Sequence, residues 1–393
     1  MNMTKPSRAP ALLLLFVMGA AADCIAIRGP EVRPDNGSVG SAGTDNTSGQ
    51  GGSGAVASAP VARPSGLPVP PGSANVPKPV GIPGNLKVLD WAGFKSALTY
   101  TLDDGQPSQI EHYGDLQATG VRFTFFVNST GTWASGFTST FTRAVRDGHE
   151  VGNHTAHHCH ADPDGALYAT AGSSQRVSCA RPSAGADLDE CTQFIISTLG
   201  APEVWTSAAP FGDVGYASAA SERFFLNRGV QSGTVAANDD TDPFDLPIWG
   251  PSENDPVSVF NANIDSSRSS GRWLILLLHS IGPTTARWYA TVDVSAITGS
   301  IAHARALGDV WIDTMANVGA YWRGQKVVTA AARTASGSTQ TWRWTLPPHF
   351  PAGKHLRVTV DGGALSQDGK PLAWNPHGYY EIALDAGSLT LAP

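Results

Sequence analysis

The sequence predicts an α/β protein: a parallel sheet with crossover helices, open or closed into a barrel, followed by a small antiparallel β-domain. Three observations predict this. From about residue 86, short apolar runs alternate with amphipathic stretches, the signature of strand and helix in turn. The run "WLILLLH" (273–279) is apolar on both faces, as a parallel strand buried between layers must be. Beyond about Gly324 the pattern changes to two-residue alternation broken by Pro and Gly.

Along the chain, Lys5 and Arg8 precede an apolar run, Ala11 to Ala22, that is too short to span a bilayer but suits a signal peptide over residues 1–22. Residues 23–85 are dominated by Gly, Ser, Ala and Pro, which bury too little apolar area to offset ordering entropy, so a flexible linker is expected. Cys24, at its start, is an alternative site of lipid attachment that would tether the exported protein to a membrane. Residues 86–323 then form the main domain. Its expected strands are 96–102, 121–127, 149–151, 204–209, 229–235, 272–279 and 309–314. Its expected helices are Gln109 to Thr119, Thr140 to Asp147, Leu188 to Leu199, Ala217 to Asn227 and Val292 to Leu307. Residues 324–393 make the β-domain, with strands 341–346, 355–360 and 379–384.

Composition narrows the function. Charged residues are 15% of the chain and the net charge is −7, with no cluster of Lys and Arg, which argues against nucleic acid as a partner. A neutral or polar substrate fits, and a monomer is expected. Four cysteines, at 24, 159, 179 and 191, lead to at least one disulfide among the last three in an exported protein, the pairing left open.

Chemistry concentrates at strand ends, where the loops of an α/β barrel build the active-site mouth. "TLDDGQ" places Asp103 and Asp104 directly after the first strand. Side chains alternate along an extended chain, so one carboxylate can bind a metal while its neighbour serves as a base. "GHEVGNHTAHHCH" (148–160) holds five of the chain's eleven histidines. His154 and His158 are four apart, which on a helical turn puts both imidazoles on one face, with His157 as a rival ligand. Asp104, His154 and His158 suit zinc or a similar ion with open positions for water and substrate. His149 and His160 are expected as loop or surface residues. His279 ends its strand. No G-x-S-x-G elbow supports a serine hydrolase.

In succession, "TLDDG", "GHEVGNHTAHH" and "LLLH" resemble the NodB-homology polysaccharide deacetylases, carbohydrate esterase family 4, over roughly residues 90 to 320. The resemblance implies a distorted (β/α)7 barrel and metal-dependent removal of acetyl groups, N-acetyl first, from an acetylated polysaccharide, with one divalent ion, zinc, as cofactor. It implies Asp103 as general base, Asp104, His154 and His158 as metal ligands, and His279 as general acid. In the loop "AAPFGD" (208–213) it implies Pro210 and Phe211 at the substrate, with the Phe211 N–H as oxyanion donor. Trp249, in "DLPIW", is the candidate wall of the acetyl pocket. One departure is plain: the family's third motif carries an Arg that holds the catalytic carboxylate, and Ala208 stands in that slot. Two alternatives follow, a non-catalytic carbohydrate-binding envelope protein on the same fold and an O-acetyl esterase. The Trp342, Trp344 and Trp374 of the β-domain are expected as core aromatics, with sugar stacking as the alternative. The loop from His160 to Asp189 is expected to rim the cleft, pinned by a disulfide at Cys179.

Overall fold

The computed structural model describes residues 65–129, 134–169, 179, 183–285 and 289–393. The expected signal peptide, Cys24 and the first part of the expected linker lie outside the described residues.

Seven parallel strands form the ring: β1 (Ser96–Asp104), β2 (Thr124–Val127), β3 (Glu150–Asn153), β4 (Thr206–Ala208), β5 (Leu226–Ser232), β6 (Leu246–Ile248) and β7 (Arg272–Leu278). They pair in the order β6-β5-β4-β3-β2-β1-β7. A single parallel bridge, Trp249 to Leu276, brings the end of β6 onto β7 and closes the ring. A further strand, β8 (Val310–Ile312), pairs with the N-terminal half of β1, while β2 pairs with its C-terminal half. This is the distorted (β/α)7 barrel. β1, β2 and β7 are deeply buried, with Tyr100, Leu102, Phe125, Trp273 and Ile275 all at 0% exposure, and β7 is apolar on both faces as that burial requires.

Helices pack outside: α1 (Pro107–Glu111), α2 (Tyr113–Ala118), α3 (Phe137–Arg146), α4 (Ala184–Ser197), α5 (Gly215–Ser221), α6 (Val257–Ser269), α7 (Val294–Leu307) and α8 (Met315–Thr329). Side-chain caps start three of them, Ser183 on α4, Asp293 on α7 and Thr314 on α8, each accepting a backbone N–H of the first turn. Three expectations change. The helix expected over Gln109 to Thr119 is two helices, broken at His112. α6 and α8 had no place in the sequence reading. The helix expected to run through Asn227 stops at Ser221, because Phe224, Phe225 and Leu226 are an apolar run that enters the sheet and is fully buried there. β5 therefore begins at Leu226, three residues earlier than expected.

After α8 the chain forms antiparallel sheets. One contains β9 (Ala332–Ser336), β10 (Thr339–Arg343), β12 (Ala364–Gln367) and β14 (Ser388–Ala392) in the order β9-β10-β14-β12, with Lys370–Pro371 at its edge. The other joins β11 (His355–Thr359) and β13 (Tyr379–Ala383), flanked by Lys87–Val88 and Trp374–Asn375. Trp342 and Trp344 are core residues at 8% and 9% exposure, and Trp344 Nε1 donates to the Leu384 carbonyl at 2.8 Å. Trp374 donates to the Val76 carbonyl at 2.9 Å and meets Tyr380 edge-on. Residues 65–85 run along these sheets, with Val76 N–H on the Pro376 carbonyl (2.8 Å) and Gly81 N–H on that of Asp361 (3.1 Å). Proline fixes φ there, so an extended path costs little entropy. Among the described residues no helix is long and apolar enough to cross a membrane.

Candidate active site and metal centre

At the C-terminal ends of the strands a cavity of about 700 Å³ is lined by Asp103, Asp104, His154, His158, Phe211 and His279, with Ile248, Leu277 and Tyr289 among its apolar walls. Six of the expected site residues therefore meet in one place, from β1, the loop after β3, the turn after β4 and the end of β7. Gln109 ties two of these ends together, its Nε2 donating to the carbonyls of Asp103 (2.6 Å) and His279 (2.9 Å).

The aspartate pair divides as alternation along β1 predicts. Asp103 points into the barrel, 3% exposed. Asp104 ends the strand with φ +74°, a left-handed conformation that swings its carboxylate into the mouth. Gly105 continues the turn at φ +63°, and a Cβ there would lie 2.6 Å from the Phe137 ring, so only glycine lets α3 approach this loop. Asp104 Oδ2 accepts from Gln106 Nε2 at 2.9 Å.

Asp104 Oδ1 faces His154 Nε2 and His158 Nε2, each at 3.3 Å, and the three ligand atoms lie within 4.8 Å of one another. His154 Nδ1 is 2.9 Å from the Ala208 carbonyl, which can only accept, so Nδ1 carries the proton and Nε2 turns a lone pair inward. Acceptors thus converge on one point, and Asp104 Oδ1 is buried with no hydrogen-bond partner of ordinary geometry among the described residues. A divalent cation fits that donor set. Burial works to raise the Asp104 pKa, but His154 and His158 outweigh it and hold the carboxyl well below its usual value. Burial works to lower His154, and the carboxylates of Asp103 and Asp104 reverse it, so its pKa is raised. A cation bound here would displace the second proton, which the raised pKa favours on Nε2.

The four-residue spacing of the histidines does not act through a helical turn. Residues 154–158 form an irregular loop in which Thr155 and His158 adopt φ +64° and +51°. Asn153 Oδ1 accepts the Thr155 N–H (2.8 Å) and Thr155 Oγ1 accepts that of His158 (2.9 Å), folding the two rings to 4.9 Å apart. His157 is no rival: its Nδ1 is 2.6 Å from Oδ1 of Asp187, a fully buried carboxylate on α4. His149 is not a surface residue. It is 6% exposed among Tyr113, Phe123 and Phe125, accepts the Phe123 N–H on Nδ1 (3.0 Å) and donates from Nε2 to Gln117 Oε1 (2.6 Å). Burial pushes its pKa down to about 4.

The residue that sequence reasoning missed is Arg228. It lies on β5, 0% exposed, and its Nη2 donates to Asp103 Oδ2 in a buried ion pair. Its Nη1 donates to the Gly229 carbonyl at 2.8 Å, and its guanidinium lies 5.4 Å from the centre of the Phe126 ring. Ala208 on β4 is paired in register with Arg228, so the guanidinium comes from one strand over, at the same level of the barrel. A strand drawn from Gly229 left Arg228 just outside the sheet; the buried run Phe224–Leu226 was the signal that could have found it.

Of the remaining expectations, Pro210 is buried and Phe211 is 45% exposed at the mouth, its ring centre 4.6 Å from that of His158. Phe211 adopts φ +57° in a single 3₁₀ turn. Trp249 is a correction: it is absent from the cavity lining, and its ring packs edge-on against Phe260 of α6. Alternation along β6 sends Ile248 inward and Trp249 out. His279 lines the cavity, and burial lowers its pKa against the opposing pull of Asp103 and Asp104. A disulfide joins Cys159 to Cys179, and Cys191 is free and buried.

Residues 93–223 match the family model of polysaccharide deacetylases. Over that span the chain is similar to the polysaccharide deacetylases. Solved structures similar to this chain include the family 4 domain of a multidomain xylanase from the hindgut metagenome of Trinervitermes trinervoides, at 18% identity and a TM-score of 0.36, covering 56% of this chain and 88% of that one. A polysaccharide deacetylase from Bacillus cereus gives 18% and 0.35 over 56% and 91%. A family 4 pseudoenzyme from Bacillus anthracis gives 14% and 0.36 over 56% and 64%. Among curated proteins, none matches this chain.

Proposed function

We propose that the deacetylase domain hydrolyses acetyl groups, N-acetyl foremost, from a carbohydrate polymer, with one divalent cation, zinc, held by Asp104, His154 and His158. The observation that carries this reading is the convergence of that triad with Asp103 and His279 in one cavity. When bound, the cation supplies a Lewis acid for the acetyl carbonyl and lowers the pKa of water. Arg228 occupies Asp103 Oδ2, and Oδ1, buried and without a partner among the described residues, is the oxygen left to take a proton from the attacking water. The Phe211 N–H serves the oxygen on which negative charge develops. His279 gives a proton to the leaving nitrogen or oxygen as the acyl bond breaks, and its lowered pKa favours release.

The alternative, a non-catalytic sugar-binding protein, drew its support from Ala208 in the arginine slot. Arg228 removes that support. An O-acetyl esterase would use the same groups. Acetate release from acetylated glycans and small esters, with and without a chelator, tests the reading. Metal uptake with no turnover of any of them would overturn it.

Export through a signal peptide over residues 1–22 is part of the same proposal, with lipid attachment at Cys24 as the alternative. The Cys159–Cys179 disulfide supports an oxidising compartment. N-terminal sequencing of the mature protein tests it: an uncleaved Met1 would refute it.

A further inference from the structure

Among the described residues, the exposed large apolar side chains include three aromatics, Tyr168, Phe211 and Tyr289, at 45%, 45% and 74% exposure. All three gather around the same mouth. Phe211 and Tyr289 line the cavity, the first beside His158 and the second edge-on to His279 at 5.0 Å. Tyr168 lies outside that lining but is joined to it by a continuous stack. The His160 ring lies on Phe211 at 3.7 Å and 15°, and on Tyr168 at 5.0 Å and 12°.

This stack is built into the fold. His160 and Tyr168 are cross-strand partners in a short antiparallel hairpin, His160–Ala161 with Leu167–Tyr168. Asp213 Oδ2 fixes the hairpin, meeting His160 Nδ1 at 2.8 Å and the Ala161 N–H at 3.0 Å. Cys159, the residue before His160, is tied to Cys179. A Cβ at Gly215 would lie 2.1 Å from the Asp162 carbonyl, so α5 begins hard against the hairpin. Rings held this firmly meet a ligand without losing further side-chain freedom. A flat, partly wet aromatic with a hydroxyl at its tip suits a pyranose ring, which offers C–H faces and hydroxyl edges.

We propose that Tyr168, carried on His160 and Phe211, forms an outer subsite that holds a pyranose unit of the polymer beyond the unit being deacetylated. The inference rests on the deacetylase reading and extends it. It makes the enzyme a reader of chain length, since Tyr168 lies outside the cavity lining, on the far side of His160, where only a longer chain reaches.

The test is acetate release from N-acetylglucosamine oligomers of increasing length, from the single sugar to the hexamer, and from O-acetylated xylose oligomers, with 4-nitrophenyl acetate as the sugar-free probe. In the parent protein kcat/KM should rise with length. Tyr168→Ala should lower the ratio of longest to shortest oligomer by about five- to tenfold, and Tyr168→Phe should keep most of it. Calorimetric binding of the longest oligomer to Asp103→Asn, with and without Tyr168→Ala, should show a loss of similar size. A parent indifferent to length, or a Tyr168→Ala defect equal at every length, overturns the subsite. No acetate release from the parent on any probe strikes the deacetylase reading itself, and unchanged binding of the oligomer by Tyr168→Ala then overturns the subsite independently.

Discussion

Ala208 and Arg228 face each other in register across β4 and β5, and it is Arg228 that forms the buried ion pair with Asp103. The cation that steadies the carboxylate stands one strand over, at the same level, from the slot where the resemblance places an arginine. Replacing Arg228 by Ala should lower kcat by about 100-fold with KM little changed, the cost of a mispositioned base. It should also destabilise the protein by about 3 kcal/mol, because Asp103 is left charged and buried. The double variant Ala208→Arg/Arg228→Ala should recover much of the kcat. Steady-state kinetics and urea unfolding check both, and a double variant no better than the single one would refute the sideways replacement.

Asp103 and Asp104 should separate cleanly in metal content. Asp103→Asn should abolish turnover and keep the metal, whereas His154→Ala should lose both. His157→Ala should keep the metal but lose about 1–3 kcal/mol of stability, since it strips the buried Asp187 of its imidazole partner. Elemental analysis after dialysis, beside acetate release and urea unfolding, reads all three.

His149 should make stability depend on pH. Its folded pKa, pushed down to about 4, lies below the unfolded value, so the unfolded chain binds the extra proton first. The contribution is complete above about pH 6.5 and is lost as the pH falls towards 4, about 3 kcal/mol in all. Urea midpoints at pH 7 and pH 4.5 should differ less in His149→Gln than in the parent. Equal pH dependence in the two would exclude this role.

The Cys159–Cys179 bond closes a loop of 20 residues, worth about 3 kcal/mol in chain entropy. Cys159→Ser/Cys179→Ser should unfold at correspondingly lower urea. Cys191, buried and with its thiol pKa pushed up by burial, should resist alkylation in the folded protein and react once unfolded. Mass spectrometry of the alkylated protein checks this.

By itself the sequence determined the chemistry at the strand ends. Runs apolar on both faces specify buried parallel strands, and the polar groups closing them, Asp103, Asp104, His154 and His279, have nowhere to point but the mouth. Local pattern carries that information because strand alternation is a property of adjacent residues. Tertiary structure decided what depends on neighbours distant in sequence: that His158 meets His154 and Asp104 through an irregular loop while Asp187 holds His157, that Trp249 faces α6, and that Arg228 reaches Asp103 from 125 residues away. Such choices are set by which strands lie side by side and how far a side chain reaches across the ring. No window of sequence contains that distance.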